Sequence, residues 1–118
     1  MGVADEFNEK KAFLTWEESV VALQTDAGQG SARAQRLLAM RYLRGRGVPK
    51  DETIAFYWMQ LAAQQNFVLA HRSLGELYEN GLGIVQDITL ATHCYRLAAE
   101  QGDPIAKKHL QRLAQPNT

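Results

Sequence analysis

An all-α solenoid of tandem antiparallel helical hairpins is the fold that this 118-residue chain predicts, on three observations. The chain matches itself without a gap at a shift of 36 residues. Within each unit, small and apolar residues recur every fourth position, as in Ala34, Leu38 and Tyr42, before a Gly-x-Gly turn. An Asp then stands four residues past that turn, where a second helix would begin.

The self-match lays residues 34–69 over 70–105. Thirteen of the 36 positions are identical: Ala34/Ala70, Arg36/Arg72, Leu38/Leu74, Tyr42/Tyr78, Gly45/Gly81, Gly47/Gly83, Asp51/Asp87, Thr53/Thr89, Ala55/Ala91, Leu61/Leu97, Ala62/Ala98, Ala63/Ala99 and Gln65/Gln101. Unrelated stretches would share about two or three. Most matches are apolar, glycine or capping residues, which points to a structural repeat. Ala27 and Gly30 lie one period before Ala63 and Asn66, and Ala106 and Leu110 lie one period after Ala70 and Leu74. The chain therefore reads as one helical-repeat domain: an N-terminal partial repeat at 1–33, repeats at 34–69 and 70–105, and a C-terminal capping helix and tail at 106–118.

Each element has a local cause. Thr15-Trp16-Glu17-Glu18 has the spacing of a capping box, in which the hydroxyl and the Glu carboxylate each accept a backbone N–H. Ala34, Leu38 and Tyr42 share one helical face. Gly45 then stops that helix, since glycine adopts the left-handed conformation at low cost. Asp51 caps the next helix. Asn66 stands where the second unit has Gly102, and Asn is the side chain that best tolerates a left-handed stop. Asp103-Pro104 opens the last helix, with Asp as N-cap and Pro in the first turn. These signals predict helices near 16–28, 32–44, 52–65, 68–79, 88–101 and 104–114, with a further short helix as an option over 4–13. A single hairpin cannot bury its apolar face, whereas stacked hairpins bury it in one continuous core. The alanines at 55, 62, 63, 91, 98 and 99 let neighbouring helices approach, and Tyr42 and Tyr78 are expected in equivalent buried positions.

Composition narrows the function. Forty-six per cent of the chain is hydrophobic, enough for a core and against disorder. Thirteen basic residues balance 13 acidic ones, so the overall basic excess of a nucleic-acid binder is missing. No apolar run reaches the roughly 20 residues of a membrane span. The acidic start, Asp5-Glu6, lacks an apolar signal core, and Glu6 replaces the Ser or Thr that myristoylation requires. The expected compartment is the cytoplasm, or the periplasm for a chain whose signal has been removed. The lone Cys94 cannot form an internal disulfide.

The recurring residues resemble a known family. Ala34-Gln35, Leu38, Tyr42, Gly45-x-Gly47-Val48, Asp51, Ala55, Trp58, Ala62-Ala63 and Gln65 are similar to the Sel-one-like repeat (SLR), a relative of the tetratricopeptide repeat. The second unit resembles it through Leu74-Gly75, Tyr78, Gly81-Leu82-Gly83, Asp87, Ala91, Ala98-Ala99-Glu100-Gln101-Gly102 and Asp103. Ala39 departs from the family's Gly, Cys94 from its Trp and Asn66 from its Gly. The resemblance implies a right-handed α/α superhelix acting as an adaptor or scaffold, often in bacterial signalling, envelope or secretion systems.

Chemistry has little support in the sequence. His93 and Cys94 are adjacent, and consecutive helical residues point about 100° apart, so they neither chelate together nor form a nucleophile pair. No Cys-x-x-Cys or His-x-x-x-His spacing occurs for zinc. His71 and His109 lie on different repeats. Gly45-x-Gly47 and Gly81-x-Gly83 follow helices rather than strands, which makes them turns rather than phosphate loops. Some cysteine-rich relatives are linked to β-lactamase-like activity, but this chain has one cysteine and no Ser-x-x-Lys. The reading is a non-enzymatic module with no cofactor and no metal. The alternatives are a small hydrolase or metal-dependent enzyme on the same scaffold, or a self-associating structural fragment.

Charge points to the candidate site. Residues 31–50 hold six bases, Arg33, Arg36, Arg41, Arg44, Arg46 and Lys50, and no acid. With Leu38 turned to the core, Arg33, Arg36, Met40 and Arg44 fall on the opposite side of their helix. One period on, the stripe continues as Leu69, Arg72, Glu76 and Asn80, then as Ile105, Lys108 and Arg112. First helices of such repeats line a concave binding surface. The expected ligand is another protein or peptide, acidic in character. The competing reading is a solvated polar face whose arginines pair with Glu17, Glu18 or Glu76. The chain is expected to be mostly monomeric, with weak end-to-end association through Leu113 of the terminal helix.

Overall fold

The computed structural model describes residues 15–116. The option of a helix over 4–13 lies outside the described residues. Within them the chain forms six α-helices and no strand: α1 Trp16–Gly28, α2 Ala32–Arg44, α3 Glu52–Gln64, α4 Val68–Asn80, α5 Ile88–Glu100 and α6 Pro104–Ala114. Helix pairs α2–α3 and α4–α5 are the two complete hairpins. By the 36-residue shift, α1 is the second helix of a preceding unit and α6 the first helix of a following one.

The caps stand where the spacing placed them. Thr15 accepts from the Glu18 N–H while Glu18 accepts from the Thr15 N–H. Asp51, Asp87 and Asp103 accept from the N–H of Ile54, Leu90 and Ala106. Each such cap stabilises by about 1 kcal/mol. Phe67, before α4, makes no side-chain cap.

The two glycines of each turn do different work. Gly45 and Gly81 terminate α2 and α4 at φ +66. Gly47 and Gly83, also at positive φ, lie against the preceding unit. A Cβ on Gly47 would come within 2.7 Å of the Trp16 carbonyl carbon, and one on Gly83 within 2.6 Å of that of Glu52. Trp16 and Glu52 are themselves 36 residues apart, so one seating contact joins each turn to the second helix before it.

The core runs along the array as three clusters joined by aromatic rings. Val20, Ala27, Ala34 and Leu38 form the first. Ala39, Ala55, Met59, Ala62, Ala63, Ala70, Leu74, Leu77 and Cys94 form the central one. Ala91, Tyr95, Ala98 and Ala106 form the third, with Leu110 and Leu113 packed partly buried against it. Tyr42 and Trp58 touch the first two clusters, and Tyr78 the last two. Here the structure corrects an expectation. Tyr42 and Tyr78 are equivalent but only partly buried, because each ring bridges two clusters instead of filling one. Tyr78 also meets Phe56 edge to face, at 5.4 Å between centroids. Cys94, at the position of Trp58, is buried, and burial pushes its thiol up to about 11.

Helices α2 and α4 touch directly, and no contact of that extent joins α3 to α5. The two first helices α2 and α4 are therefore direct neighbours in the stack.

Candidate functional site

The residues of the predicted stripe lie on α2, α4 and α6. Arg33, Arg44, Asn80, Lys108 and Arg112 are exposed, as is Ile105. Arg36, Met40, Leu69, Arg72 and Glu76 are partly buried. Met40 packs against the central core cluster, which gives the face an apolar floor beside its charges.

Four of these side chains form one electrostatic group. Burial lowers the pKa of the Arg36 guanidinium, and the positive charges of Arg72 and Arg44 lower it further, while Glu76 opposes them. Arg36 Nε donates to the Ser73 hydroxyl at 3.2 Å, crossing from α2 to α4. Arg72 Nε lies 3.1 Å from Asp103 Oδ2, but it is not aligned for a hydrogen bond, so charge holds that pair. Asn80 turns back to donate to the Glu76 carbonyl oxygen at 2.9 Å.

Arg112 stands apart from that group. Its guanidinium grips both oxygens of Glu79, at 2.7 and 2.8 Å. Tyr95, with no exposed surface, donates to the same carboxylate at 2.7 Å. His109 stacks on the Tyr95 ring, 4.6 Å between centroids. The hydrogen bond from Arg112, with help from Tyr95, holds the Glu79 carboxyl below its ordinary pKa despite partial burial. This cluster fastens α6 to α4 and α5. Thus the ion pairs among the described residues are Arg72–Asp103 and Arg112–Glu79, not pairings with Glu17, Glu18 or Glu76.

Two further polar groupings escaped the sequence reading. Gln65 donates to Gln35 Oε1 at 2.9 Å, and Gln35 donates to the Ala27 carbonyl oxygen at 3.1 Å. In the second unit, Gln101 and His71 Nε2 both reach Asn66 Oδ1 at 2.9 Å, with Asn66 at φ 59. That oxygen only accepts, so the His71 Nε2 carries a proton. The paired Gln65 and Gln101 of the self-match were the available signal. The second grouping lies at the start of α1, where Arg41 and Arg46 both sit over the Trp16 ring, at 4.5 and 5.2 Å. Arg41 also donates to the Ser19 hydroxyl at 2.7 Å. No spacing rule links residues 16, 41 and 46.

Among the described residues, no group of three His, Cys, Asp or Glu side chains is placed to hold a metal ion. No described helix is long and apolar enough to cross a membrane.

Stacked hairpins of 36 residues define an α/α helical-repeat protein. The Sel1 repeat family model matches residues 32–67 and 68–103, more than half of the chain. The chain belongs to the Sel1 repeat family. A Sel1 repeat protein from Oxalobacter formigenes is 44% identical, with a TM-score of 0.77 over 80% of this chain and 71% of that one. The antigen c5321 of uropathogenic Escherichia coli, with an SLR fold, is 31% identical, with a TM-score of 0.80 over 81% of this chain and 21% of its own. Helicobacter pylori cysteine rich protein B shares the fold at 22% identity, with a TM-score of 0.78 over 84% of this chain and 74% of that one. Comparison with curated proteins finds no match. Sel1 repeats are a scaffold type for protein–protein interaction.

Proposed function

We propose that this chain is an adaptor whose inner face, formed by α2, α4 and α6, binds an acidic segment of a partner protein. The observation that carries the reading is the group of Arg36, Arg44 and Arg72 on adjoining first helices, with Glu76 as the acid acting on Arg36. A partly buried guanidinium beside two like charges, as Arg36 is, is costly in isolation. A ligand carboxylate offsets that cost, and a guanidinium can hold it through two parallel N–H donors. Met40 and Leu69 supply apolar contact beside the charges, and the thioether adapts to varied shapes. An enzyme reading draws no support from the perturbed groups. Cys94 is shifted by burial, and Tyr95 and Glu79 belong to the cluster that fastens α6.

The test is a partner captured from the source cell. Replacing Arg36 and Arg44 together with Ala should weaken its binding and flatten the salt dependence, with helical circular dichroism unchanged. A partner that binds the double variant as tightly as the unaltered protein would leave the stripe a solvated face.

A further inference from the structure

The two units share one arginine of this face, at 36 and 72, and differ in what is paired with it. In the second unit, Arg72 has a carboxylate partner, Asp103. One period earlier, the same two positions hold Arg36 and Phe67. The first unit therefore repeats the arginine without the acid. Arg36 is left with the neutral oxygen of Ser73 through Nε, and the ion pairs among the described residues do not include it. The terminal nitrogens of its guanidinium are the forked donors that suit a carboxylate.

We propose that a carboxylate side chain of the partner docks on Arg36 beside Phe67, taking in the first unit the role that Asp103 plays in the second. This rests on the reading of the inner face as a site for acidic segments, and it names the point of attachment. The second unit shows that this repeat position accepts a carboxylate against the arginine of the preceding first helix. Phe67, partly buried and packed against the central cluster, holds the repeat position of Asp103, so it would offer an apolar wall there. Leu69 and Met40 are partly buried on the same stripe. The segment that fits is one in which acidic and apolar residues alternate. Glu76 acts on Arg36 with the opposite sign to Arg72 and Arg44, so it opposes an incoming carboxylate.

The experiment titrates the whole chain with an alternating Glu-Leu hexapeptide, using the Gln-Leu hexapeptide as the uncharged control. Binding is followed by the Nε–Hε resonances of the arginines. The Glu-Leu peptide should move the Arg36 resonance most and leave Arg72, already paired, nearly still. Arg36→Gln should raise Kd about tenfold, in line with the loss of a charge-assisted hydrogen bond. Glu76→Gln should lower it. If the Glu-Leu peptide binds through Arg44 or Arg33 while Arg36→Gln and Glu76→Gln leave Kd unchanged, this attachment point is wrong and the acidic-segment reading stands. If the Gln-Leu peptide binds equally well, or neither peptide binds, the acidic-segment reading fails, and this inference with it.

Discussion

Gly75 and Tyr95 are fitted to each other across the second hairpin: a Cβ on Gly75 would lie 2.6 Å from Cε1 of the tyrosine ring. The equivalent pair in the first hairpin is Ala39 and Met59, both with no exposed surface. The smaller residue on the first helix thus goes with the bulkier ring on the second. Gly75→Ala should destabilise by about 1–3 kcal/mol, the usual cost of overpacking. Adding Tyr95→Met should recover part of that loss, less the hydrogen bond to Glu79. Urea unfolding of the two single variants and the double one measures the coupling, and strict additivity would show that the pair is not fitted.

Leu38 has no exposed surface and Leu74 is 7% exposed. Leu38→Ala or Leu74→Ala should each cost about 2–5 kcal/mol in the same assay. A loss below about 1 kcal/mol would mean that the surrounding clusters close over the vacancy.

Glycine substitutions should divide by location. Gly83 at φ +76 presses on the backbone of Glu52, so Gly83→Ala should loosen the joint between units and lower the unfolding midpoint. Gly28 ends α1 without a positive φ, and a Cβ there would meet nothing within 4 Å. Gly28→Ala should therefore stabilise, by about 0.5–1 kcal/mol, through a better helix propensity and a stiffer unfolded chain. Equal effects at the two positions would contradict the seating of the turn on the preceding helix.

His71 should make stability depend on pH. Burial lowers its pKa from the ordinary 6.5, and the nearby His93 lowers it further. Below about pH 6.5 the unfolded chain then binds more protons than the folded one, so stability rises with pH across that window. It is lost as pH falls from 6.5 through the folded pKa of His71. His71→Gln, which installs the residue found at 35 in the first unit, should flatten the change in urea midpoint between about pH 7.5 and 5.5. An unchanged slope would remove His71 as its source.

The sequence by itself determined the hairpins, their period and their ends. Helix faces, glycine stops and Asp caps act over one turn of chain, so Thr15, Gly45, Asp51, Asn66 and Asp103 announce their roles by type and spacing. The 36-residue self-match added which helices are equivalent. Tertiary structure alone decided which of those charges are spent. Nothing in the spacing shows that Arg112 is held by Glu79, or that Arg72 meets Asp103 while Arg36 meets Ser73. Each of those contacts joins residues 31 to 37 positions apart, on helices brought together only by stacking. A long, flexible arginine can reach several partners at nearly equal cost, and the packing around it selects one. The bridging position of Tyr42 and Tyr78 has the same origin, since a ring shared between units exists only once the units are stacked.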